Sequence, residues 1–558
     1  MSTLELFTTD WRELWQGAAS QEPVGAIFTR PEIVDLILDL AGYSPATIRL
    51  AELTVLEPSC GDGAFLETIV ARLLESERIH KGSIDWAAPE LDSALRAADI
   101  SLPSLVSARG LIRSRLIGAA CPEERAEELA AQWTIHTDFL LHDWGQSFSL
   151  VVGNPPYVRL EDLPKAVLEH YRRSFSTATD RADLYVAFIQ RGLQLLAPDG
   201  VLAFICANRF AKNQYGASLR RLIARSFRVR HFVNLEHTQP FAQEVSAYPA
   251  IVVIDRRHGK PTHAATLEDL SAETLATVRR EALIPSEGGH LVSTFASWYE
   301  DGSPWRTTSR AAYDFLASLE AGFPVLEASG PNTRVGIGVA TGADPVFVLD
   351  AKDPDIEESR QIPLLMAQDV RLDAPNWSGH YLLNPFASDD DGSLVDLGDF
   401  PGLRRHFERT ACQLRKRHVA RTRPASWYRT IDRIWPTLQF VPKLVLPDIQ
   451  SGGVVGLDPG QYYPHHNLYW VASDSWSLRA LQALLRSTFV LLQVKAYSVH
   501  MRGGSLRYQA QTLRRLRVPL LASLSSECAS ELEAAATSRD QEVIDAAAST
   551  AYQLSVPV

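Results

Sequence analysis

Short apolar runs alternate with helical segments between about residue 50 and residue 255, and this alternation limits the folds open to the chain. The apolar runs cover residues 53–56, 148–152, 201–206 and 250–254, and helical periodicity is found in 64–74 and 183–196. Short apolar strands separated by helices are typical of a mostly parallel sheet with helices on both faces. The sequence therefore predicts an α/β fold built on a doubly wound sheet.

The chain has 558 residues, which is long enough for more than one domain. Its composition becomes polar after about residue 256, and mixed strands, turns and aromatic residues follow. We predict a first domain over residues 1–260, a linker over 261–325 and an α+β domain over 326–558. Within the first domain, residues 102–130 are predicted to form an inserted helical hairpin.

Composition favours a soluble, cytoplasmic protein that does not enter a membrane. The N-terminus lacks a basic start followed by an apolar run, and no run of about 18 apolar residues occurs. The five cysteines are scattered without metal-ligand spacing, so we expect neither disulfides nor a bound metal.

The chain has a net charge of -11 but contains a basic segment. Residues 401–450 hold 11 Lys and Arg against 3 acidic residues. Such a segment suits a polyanionic partner.

The segment 55–66 combines a strand, an acidic residue and a glycine-rich turn before a helix. Gly61 and Gly63 permit positive φ and allow a ligand to approach the backbone where the strand ends. Glu57 would repel a pyrophosphate, and Leu66 stands where a dinucleotide-binding loop has its third glycine. A ligand with an ammonium group and no phosphate fits better, and S-adenosylmethionine is such a ligand.

The segment 151–158, V-V-G-N-P-P-Y-V, ends an apolar strand abruptly. The two prolines restrict the backbone, so Asn154 is presented in an extended, rigid conformation with an aromatic residue close behind it. An exocyclic amine conjugated with a ring is a poor nucleophile. It becomes a better one when the Asn154 side-chain oxygen and the Pro155 carbonyl accept its hydrogens, and Tyr157 can stack on the ring. The predicted catalytic residues for methylation of such an amine are Asn154, Pro155, Pro156 and Tyr157.

With these two motifs in this order, the sequence resembles the DNA adenine-N6 methyltransferases of type II restriction–modification systems. The resemblance implies a Rossmann-like methyltransferase sheet, a C-terminal target-recognition domain, S-adenosylmethionine as methyl donor and no metal. It implies that Glu90 holds the cofactor ribose from the end of the second strand, in preference to Asp92 and Asp85. The cofactor-binding residues implied by the resemblance are Thr29, Glu57, Gly61, Gly63, Glu90, Asp138 and Phe139.

The resemblance also implies how the target adenine and its DNA are bound. A base inside a duplex cannot reach the methyl donor, so the adenine is expected to flip out of the helix. Tyr157 and Phe241 would stack on its two faces, with Tyr248 as the alternative to Phe241. Basic residues of the second half would contact phosphates and base edges in the groove. The expected DNA-binding residues are Arg415, Lys416, Arg417, Arg421, Arg423 and Arg507.

The expected partners are double-stranded DNA, methylated by a monomer, and a separately encoded cognate restriction endonuclease. Only about 24 residues precede the first cofactor motif, which disfavours a fused nuclease.

RNA guanine-N2 and release-factor glutamine methyltransferases also use N-P-P-Y. Those enzymes are typically compact, however, and their activities do not account for the basic second half of this chain. The methylase component of another phage-defence system and a DNA-binding subunit with a degenerate methylase fold are further alternatives. A cytosine-N4 enzyme is also close, although Ser more often precedes the two prolines in that group.

Overall fold

The structure is a computed structural model that describes residues 11–15, 27–179, 181–243, 248–257, 259–284, 289–305, 310–387, 392–498 and 505–556. The chain divides into two compact units, Met1–Arg310 and Ala311–Val558. Within the described residues, no helix combines the length and the apolar character that crossing a bilayer requires.

The first unit is built on a nine-stranded sheet with the order β3-β2-β1-β4-β5-β7-β6-β8-β9. Its strands are β1 (Val55–Glu57), β2 (Leu95–Asp99), β3 (Thr134–His136), β4 (Phe148–Gly153), β5 (Leu196–Ala207), β6 (Arg228–Asn234), β7 (Pro249–Asp255), β8 (Thr262–Thr266) and β9 (Val292–Phe295). Its helices are α1 (Trp11–Leu14), α2 (Pro31–Ala41), α3 (Ala64–Lys81), α4 (Pro89–Ser93), α5 (Leu102–Gly118), α6 (Glu123–Trp133), α7 (Lys165–Ser174), α8 (Leu184–Gln194), α9 (Arg209–Lys212), α10 (Ala217–Ser226) and α11 (Ala272–Leu283). The predicted α/β class is confirmed.

The first five strands in this order are parallel to one another, and β7 is antiparallel to both of its neighbours. Every residue of β7 is buried, as expected for a strand covered on both faces. The order reverses between β1 and β4, which are adjacent although β2 and β3 separate them in the sequence. Ligands of open parallel sheets bind beside such a reversal, at the carboxyl ends of the strands. The predicted helical hairpin is also present, because α5 and α6 pack together.

The predicted linker over residues 261–325 is corrected by the structure. Strand β8 pairs in parallel with β6, and β9 pairs with β8, so residues as far as Phe295 extend the nine-stranded sheet. The first unit continues to Arg310, where α12 begins. The error has a simple cause, because the outermost strands of a sheet carry the same polar composition as a linker.

The second unit holds two four-stranded sheets, of order β10-β18-β14-β16 and β11-β13-β12-β17, and the pair β15-β19. Its strands are β10 (Arg334–Ile337), β11 (Val348–Leu349), β12 (Gln361–Leu365), β13 (Tyr381–Leu383), β14 (Lys443–Pro447), β15 (Ile449–Gln450), β16 (Gly456–Asp458), β17 (Tyr463–Pro464), β18 (Leu468–Ala472) and β19 (Leu506–Arg507). Its helices are α12 (Arg310–Gly322), α13 (Asp344–Phe347), α14 (Pro401–Arg409), α15 (Ala411–Arg415), α16 (His418–Thr422), α17 (Leu478–Arg486), α18 (Thr488–Tyr497), α19 (Ala510–Leu513), α20 (Ser526–Ala535) and α21 (Gln541–Tyr552). Apolar faces of α17, α18, α20 and α21 form the larger core of this unit.

A fully buried ion pair lies in the first of these sheets. The Lys443 ammonium donates to Asp458 Oδ2 at 2.7 Å and to the Val441 carbonyl at 2.9 Å, and both charged side chains are 0% exposed. Asp458 Oδ1 accepts the backbone N–H of Gly460 at 3.0 Å, so the carboxylate also orders the turn after β16. Burial lowers the pKa of Lys443, because the charged ammonium has lost its hydration.

We expect Lys443→Met to lower the free energy of unfolding by about 3–5 kcal/mol, because it leaves the Asp458 carboxylate buried without its counter-ion. The matched control is Lys352→Met, which breaks the exposed ion pair with Glu358 and should cost less than about 1 kcal/mol. Chemical denaturation followed by circular dichroism measures both changes. Equal losses in the two variants would show that the buried pair contributes no more than a surface pair.

Candidate functional site

The carboxyl ends of β1 and β4 meet where the strand order reverses. β1 ends at Glu57, and β4 ends at Gly153 immediately before Asn154. A Cβ atom on Gly153 would lie 3.4 Å from Glu57 Cγ, so a larger residue would crowd the glutamate. The structure therefore brings the predicted glycine-rich turn and the N-P-P-Y segment to one place at the edge of the sheet.

The turn after β1 has the backbone that the sequence predicts. Gly61 has φ 52° and Gly63 has φ 99°, which are conformations that residues with a Cβ rarely adopt. Gly63 precedes the first residue of α3. The Gly61 N–H donates to Asp99 Oδ2 at 2.8 Å, which ties the turn to the end of β2. The turn thus lies between the ends of two neighbouring parallel strands.

Glu57 is a buried acid with an unpartnered oxygen. Its side chain is 1% exposed, and Oε2 has no hydrogen-bond partner among the described residues. Burial, together with the nearby Asp99 carboxylate, raises the pKa of Glu57 well above its ordinary value. Burial disfavours the charged form of Glu57, and a cation held beside it would offset that penalty. The turn is therefore suited to a ligand with a positively charged group.

The prediction that Glu90 stands at the end of the second strand is wrong. Glu90 lies in α4, before β2 begins, and accepts a hydrogen bond from Arg49 Nη1 at 3.2 Å. The acid at the carboxyl end of β2 is Asp99, which accepts the backbone N–H groups of Gly61 and Ser101. The two earlier alternatives, Asp92 and Asp85, also precede β2. The sequence signal for Asp99 was its position directly after the apolar residues of a short strand.

Asn154 is oriented by contacts on only one side of its carboxamide. Its Nδ2 donates to the Ile27 carbonyl at 2.8 Å and to Thr29 Oγ1 at 3.3 Å. Its Oδ1 is buried and has no partner among the described residues. Buried polar atoms without partners are uncommon and often lie at functional sites. The carboxamide therefore presents an acceptor in a fixed direction.

Thr29 contacts the N-P-P-Y loop and the segment around Phe241. It is buried, pairs with Phe241 in an isolated antiparallel bridge and contacts the Asn154 side chain through its hydroxyl. The Arg30 N–H also donates to the Pro240 carbonyl at 3.0 Å. The segment before α2 thus supports the N-P-P-Y loop, and the role of Thr29 in holding a cofactor stays a prediction.

The aromatic residues predicted to stack on a base lie together. The rings of Tyr157 and Phe241 have centroids 6.0 Å apart with planes at 82°, an edge-to-face contact that leaves no space for a base between them. The Tyr157 hydroxyl is buried without a partner among the described residues, and burial raises its pKa. Phe241 is 1% exposed. The alternative, Tyr248, precedes β7, where its carbonyl accepts the Asn208 N–H at 2.7 Å. Stacking on both faces of a base stays a prediction and would require the two rings to separate.

Asp138 and Phe139 follow β3 and are both buried. Asp138 Oδ2 accepts the Trp15 indole N–H at 3.0 Å and the Tyr171 hydroxyl at 2.6 Å. The Phe139 ring packs on Phe188, with centroids 4.9 Å apart. Their roles beside a cofactor adenine stay predictions, and the side-chain partners of Asp138 were not expected from the sequence.

A polar network missed by sequence reasoning lies beside the N-P-P-Y loop. The Tyr215 hydroxyl donates to Asp183 Oδ2 at 3.0 Å and lies 3.1 Å from the Tyr185 hydroxyl. The Tyr185 ring lies 6.4 Å from that of Tyr157. Asp183 and Tyr185 belong to the segment D-L-Y at the start of α8, which the sequence indicates only as a helix. This network supports the aromatic side of the site.

The predicted DNA-binding residues divide into exposed and internal groups. Arg417 is internal, because its guanidinium donates to the backbone carbonyls of Thr341, Trp427, Arg429 and Leu414. Arg507 forms an ion pair with Asp448. The exposed members are Arg415, Lys416, Arg421 and Arg423.

The exposed group offers positive charge without internal counter-ions. The Arg415 guanidinium lies 4.5 Å from the Trp427 ring centroid. The side chains of Arg421 and Arg423 make no hydrogen bond or ion pair within the part of the chain that the structure describes. We define these three residues together with Lys416 as the basic patch. DNA binding by the patch stays a prediction, and Arg417 is better explained as a structural residue.

One group of potential metal ligands occurs among the described residues, in the second unit. Asp344 Oδ2 lies 3.1 Å from His465 Nε2, and His466 is the third member. Histidines that bind metals usually pass their other ring N–H to an acceptor, and His465 Nδ1 has no partner in the described structure. The geometry suits a hydrogen-bonded His–Asp pair, and we assign no metal to it.

Comparison with known proteins adds independent information. A family model described as the Eco57I restriction-modification methylase matches residues 102–241. The Type II methyltransferase M.XhoI of Xanthomonas vasicola is 41% identical over 536 residues, which cover 95% of this chain and 97% of that protein. The Type II methyltransferase M.PaeR7I of Pseudomonas aeruginosa is 42% identical and covers 96% of this chain and 92% of its own length.

A solved structure resembles nearly the whole chain in fold. The Type IIL restriction-modification enzyme MmeI in complex with DNA matches 98% of this chain and 76% of its own with a TM-score of 0.61. At 12% identity, this likeness concerns the fold alone.

Proposed function

Because this chain belongs to the Type II methyltransferases of restriction–modification systems, we propose that it methylates the N6 amino group of adenine in double-stranded DNA, with S-adenosylmethionine as donor. A specific DNA sequence would be protected in this way from a separately encoded endonuclease. The observation that carries the proposal is the buried, unpartnered Oδ1 of Asn154 at the end of β4.

The carboxamide of Asn154 supports chemistry on an amino group. Ile27 and Thr29 accept from Nδ2, so Oδ1 stays oriented as an acceptor. In the proposed reaction, Oδ1 and the Pro155 carbonyl accept the two N6 hydrogens and draw the nitrogen lone pair out of conjugation with the ring. The pair would then form a bond with the methyl carbon while the bond from that carbon to the sulfonium sulfur of the donor breaks, and the nitrogen would afterwards lose one proton to solvent. The carboxamide does this without changing its own protonation state.

The edge of the sheet fits S-adenosylmethionine, which supplies the methyl group when bound. Neighbouring strands lie about 4.8 Å apart, so the ends of β1, β2 and β3 offer three adjacent contacts along an extended ligand. Glu57 on β1 would hold the ammonium group, Asp99 on β2 the ribose hydroxyls and Asp138 after β3 the adenine. The unpartnered Glu57 oxygen supports the first of these contacts, because a buried carboxylate attracts a cation.

Double-stranded DNA as substrate is supported by the second unit. The basic patch of Arg415, Lys416, Arg421 and Arg423 is exposed and provides charges for phosphate contacts. We propose that one monomer binds the duplex and that the target adenine flips out toward Tyr157. Tyr157 would then stack on one face of the base, once its edge contact with Phe241 has opened.

The decisive experiment incubates the protein with methyl-labelled S-adenosylmethionine and unmethylated duplex DNA, followed by digestion to nucleosides. We expect label in N6-methyladenine. Asn154→Ala should lower kcat at least about 100-fold, as expected for loss of a preorganised transition-state contact, and should keep cofactor and DNA binding.

Structured RNA and a release-factor protein are incubated in parallel as alternative acceptors. Label in RNA or protein instead of DNA would refute DNA as substrate, and label in N4-methylcytosine instead of N6-methyladenine would refute adenine. Normal turnover by Asn154→Ala would remove the proposed role of its side-chain oxygen.

The raised pKa of Glu57 predicts a pH dependence of cofactor binding. Because the pKa of Glu57 is raised, its protonated form persists to higher pH than in an ordinary glutamate, whereas an ammonium group binds the carboxylate form. Affinity should therefore fall as pH decreases through the range in which Glu57 becomes protonated, because an α-amino group stays charged there. Isothermal titration calorimetry measures this change. Glu57→Gln should bind more weakly and show no such dependence, and an unchanged profile would argue against contact with Glu57.

The division of the basic residues predicts two different mutant phenotypes. Arg421→Ala with Arg423→Ala should weaken DNA binding and reduce the slope of log K against log salt by about 0.9 per lost phosphate contact. Arg417→Ala should instead destabilise the second unit, because the guanidinium bridges four backbone carbonyls. Salt titrations and thermal unfolding of both variants separate these effects. An unchanged slope would exclude the two arginines from the DNA interface.

A further inference from the structure

Asp138 is held by two side chains that lie far from it in the sequence. The Trp15 indole and the Tyr171 hydroxyl both donate to Oδ2, at 3.0 and 2.6 Å. Oδ1 accepts the Leu140 N–H at 2.9 Å. Each carboxylate oxygen has about two acceptor positions. The two side chains therefore occupy Oδ2, while Oδ1 accepts only from backbone N–H groups among the described residues.

The two donors reach Asp138 from different elements of the first unit. Trp15 follows α1, and the Trp11 ring packs edge-on against His136 of β3 with centroids 5.2 Å apart. Tyr171 is 1% exposed and belongs to α7, the helix that follows the N-P-P-Y loop. Asp138 is thus linked both to the residue that follows α1 and to α7.

The two contacts also affect the charge of the carboxylate. Asp138 is 4% exposed, and burial raises its pKa, whereas the hydrogen bonds from Tyr171 and Trp15 act in the opposite direction. An ionised carboxylate accepts a hydrogen bond more strongly than a protonated one. Two fixed donors therefore favour the form that best recognises an amino group, and they restrict rotation of the carboxylate.

We propose that Trp15 and Tyr171 are positioning residues for recognition of the cofactor adenine. They hold Oδ2 of Asp138, so that Oδ1 accepts a hydrogen bond from the 6-amino group. This inference rests on the proposed function, because it assumes that S-adenosylmethionine binds along the ends of β1, β2 and β3. It adds a role for α1 and α7 in distinguishing adenine from purines that lack the amino group.

The test compares two ligands that differ only at the recognised group. The first probe is S-adenosylhomocysteine, and the second is its purine analogue with hydrogen in place of the 6-amino group. Calorimetry with the full chain should show that the wild type binds the first about tenfold more tightly, as expected for one hydrogen bond to a charged group. Tyr171→Phe keeps the ring and removes only the hydroxyl donor, and Trp15→Phe removes the indole N–H while keeping a smaller aromatic ring. Each should weaken binding of S-adenosylhomocysteine about threefold to tenfold and leave binding of the analogue unchanged.

The matched control is Tyr43→Phe, which removes another buried hydroxyl, one directed at the Ile69 carbonyl. It should change binding of neither ligand. Equal weakening of both ligands by Tyr171→Phe and Trp15→Phe would overturn the inference, because a general structural role has that effect. Unchanged or tighter binding of S-adenosylhomocysteine would also overturn it. No binding of S-adenosylhomocysteine by the wild type would contradict the proposed function itself, and with it this inference.

Discussion

The reversal of strand order between β1 and β4 is the constraint on which the candidate site depends. Helices that connect parallel strands diverge at such a point and leave the carboxyl ends open to a ligand. Here the reversal puts Glu57 next to Gly153, and a side chain on that glycine would crowd the glutamate. Asn154 follows at once. An acidic turn and an amide acceptor thus become neighbours, although about 100 residues separate them in the chain.

Unpartnered buried atoms mark both parts of this site. Oδ1 of Asn154 and Oε2 of Glu57 lack partners among the described residues, and each such atom costs free energy in the folded protein. The surrounding contacts make this cost tolerable, because Ile27 and Thr29 hold the other half of the carboxamide. A site that is oriented before its ligand arrives loses less entropy on binding. By contrast, both oxygens of Asp138 accept hydrogen bonds, and the two side-chain donors on Oδ2 suggested the positioning role of Trp15 and Tyr171.

Much of the fold was predictable because its strands carry strong local signals. The predicted strands at 148–152, 201–206 and 250–254 lie within β4, β5 and β7, and helices α3, α5 and α6 were also anticipated. Strand β2 was missed, because its five residues include an arginine and two alanines, which are not typical strand formers. That omission led to the choice of Glu90 instead of Asp99. The edge strands β8 and β9 were taken for linker for a similar reason.

The sequence by itself determined the two local segments of the candidate site, because the conformations of the glycine-rich turn and the N-P-P-Y segment depend on glycine and proline. It also determined that the second half carries a basic segment. Only the tertiary structure decided which acid ends β2, that Thr29 contacts Asn154 and that Arg417 binds backbone carbonyls instead of facing solvent. These are contacts between residues distant in the sequence. They follow from strand order and packing, which no short stretch of residues encodes.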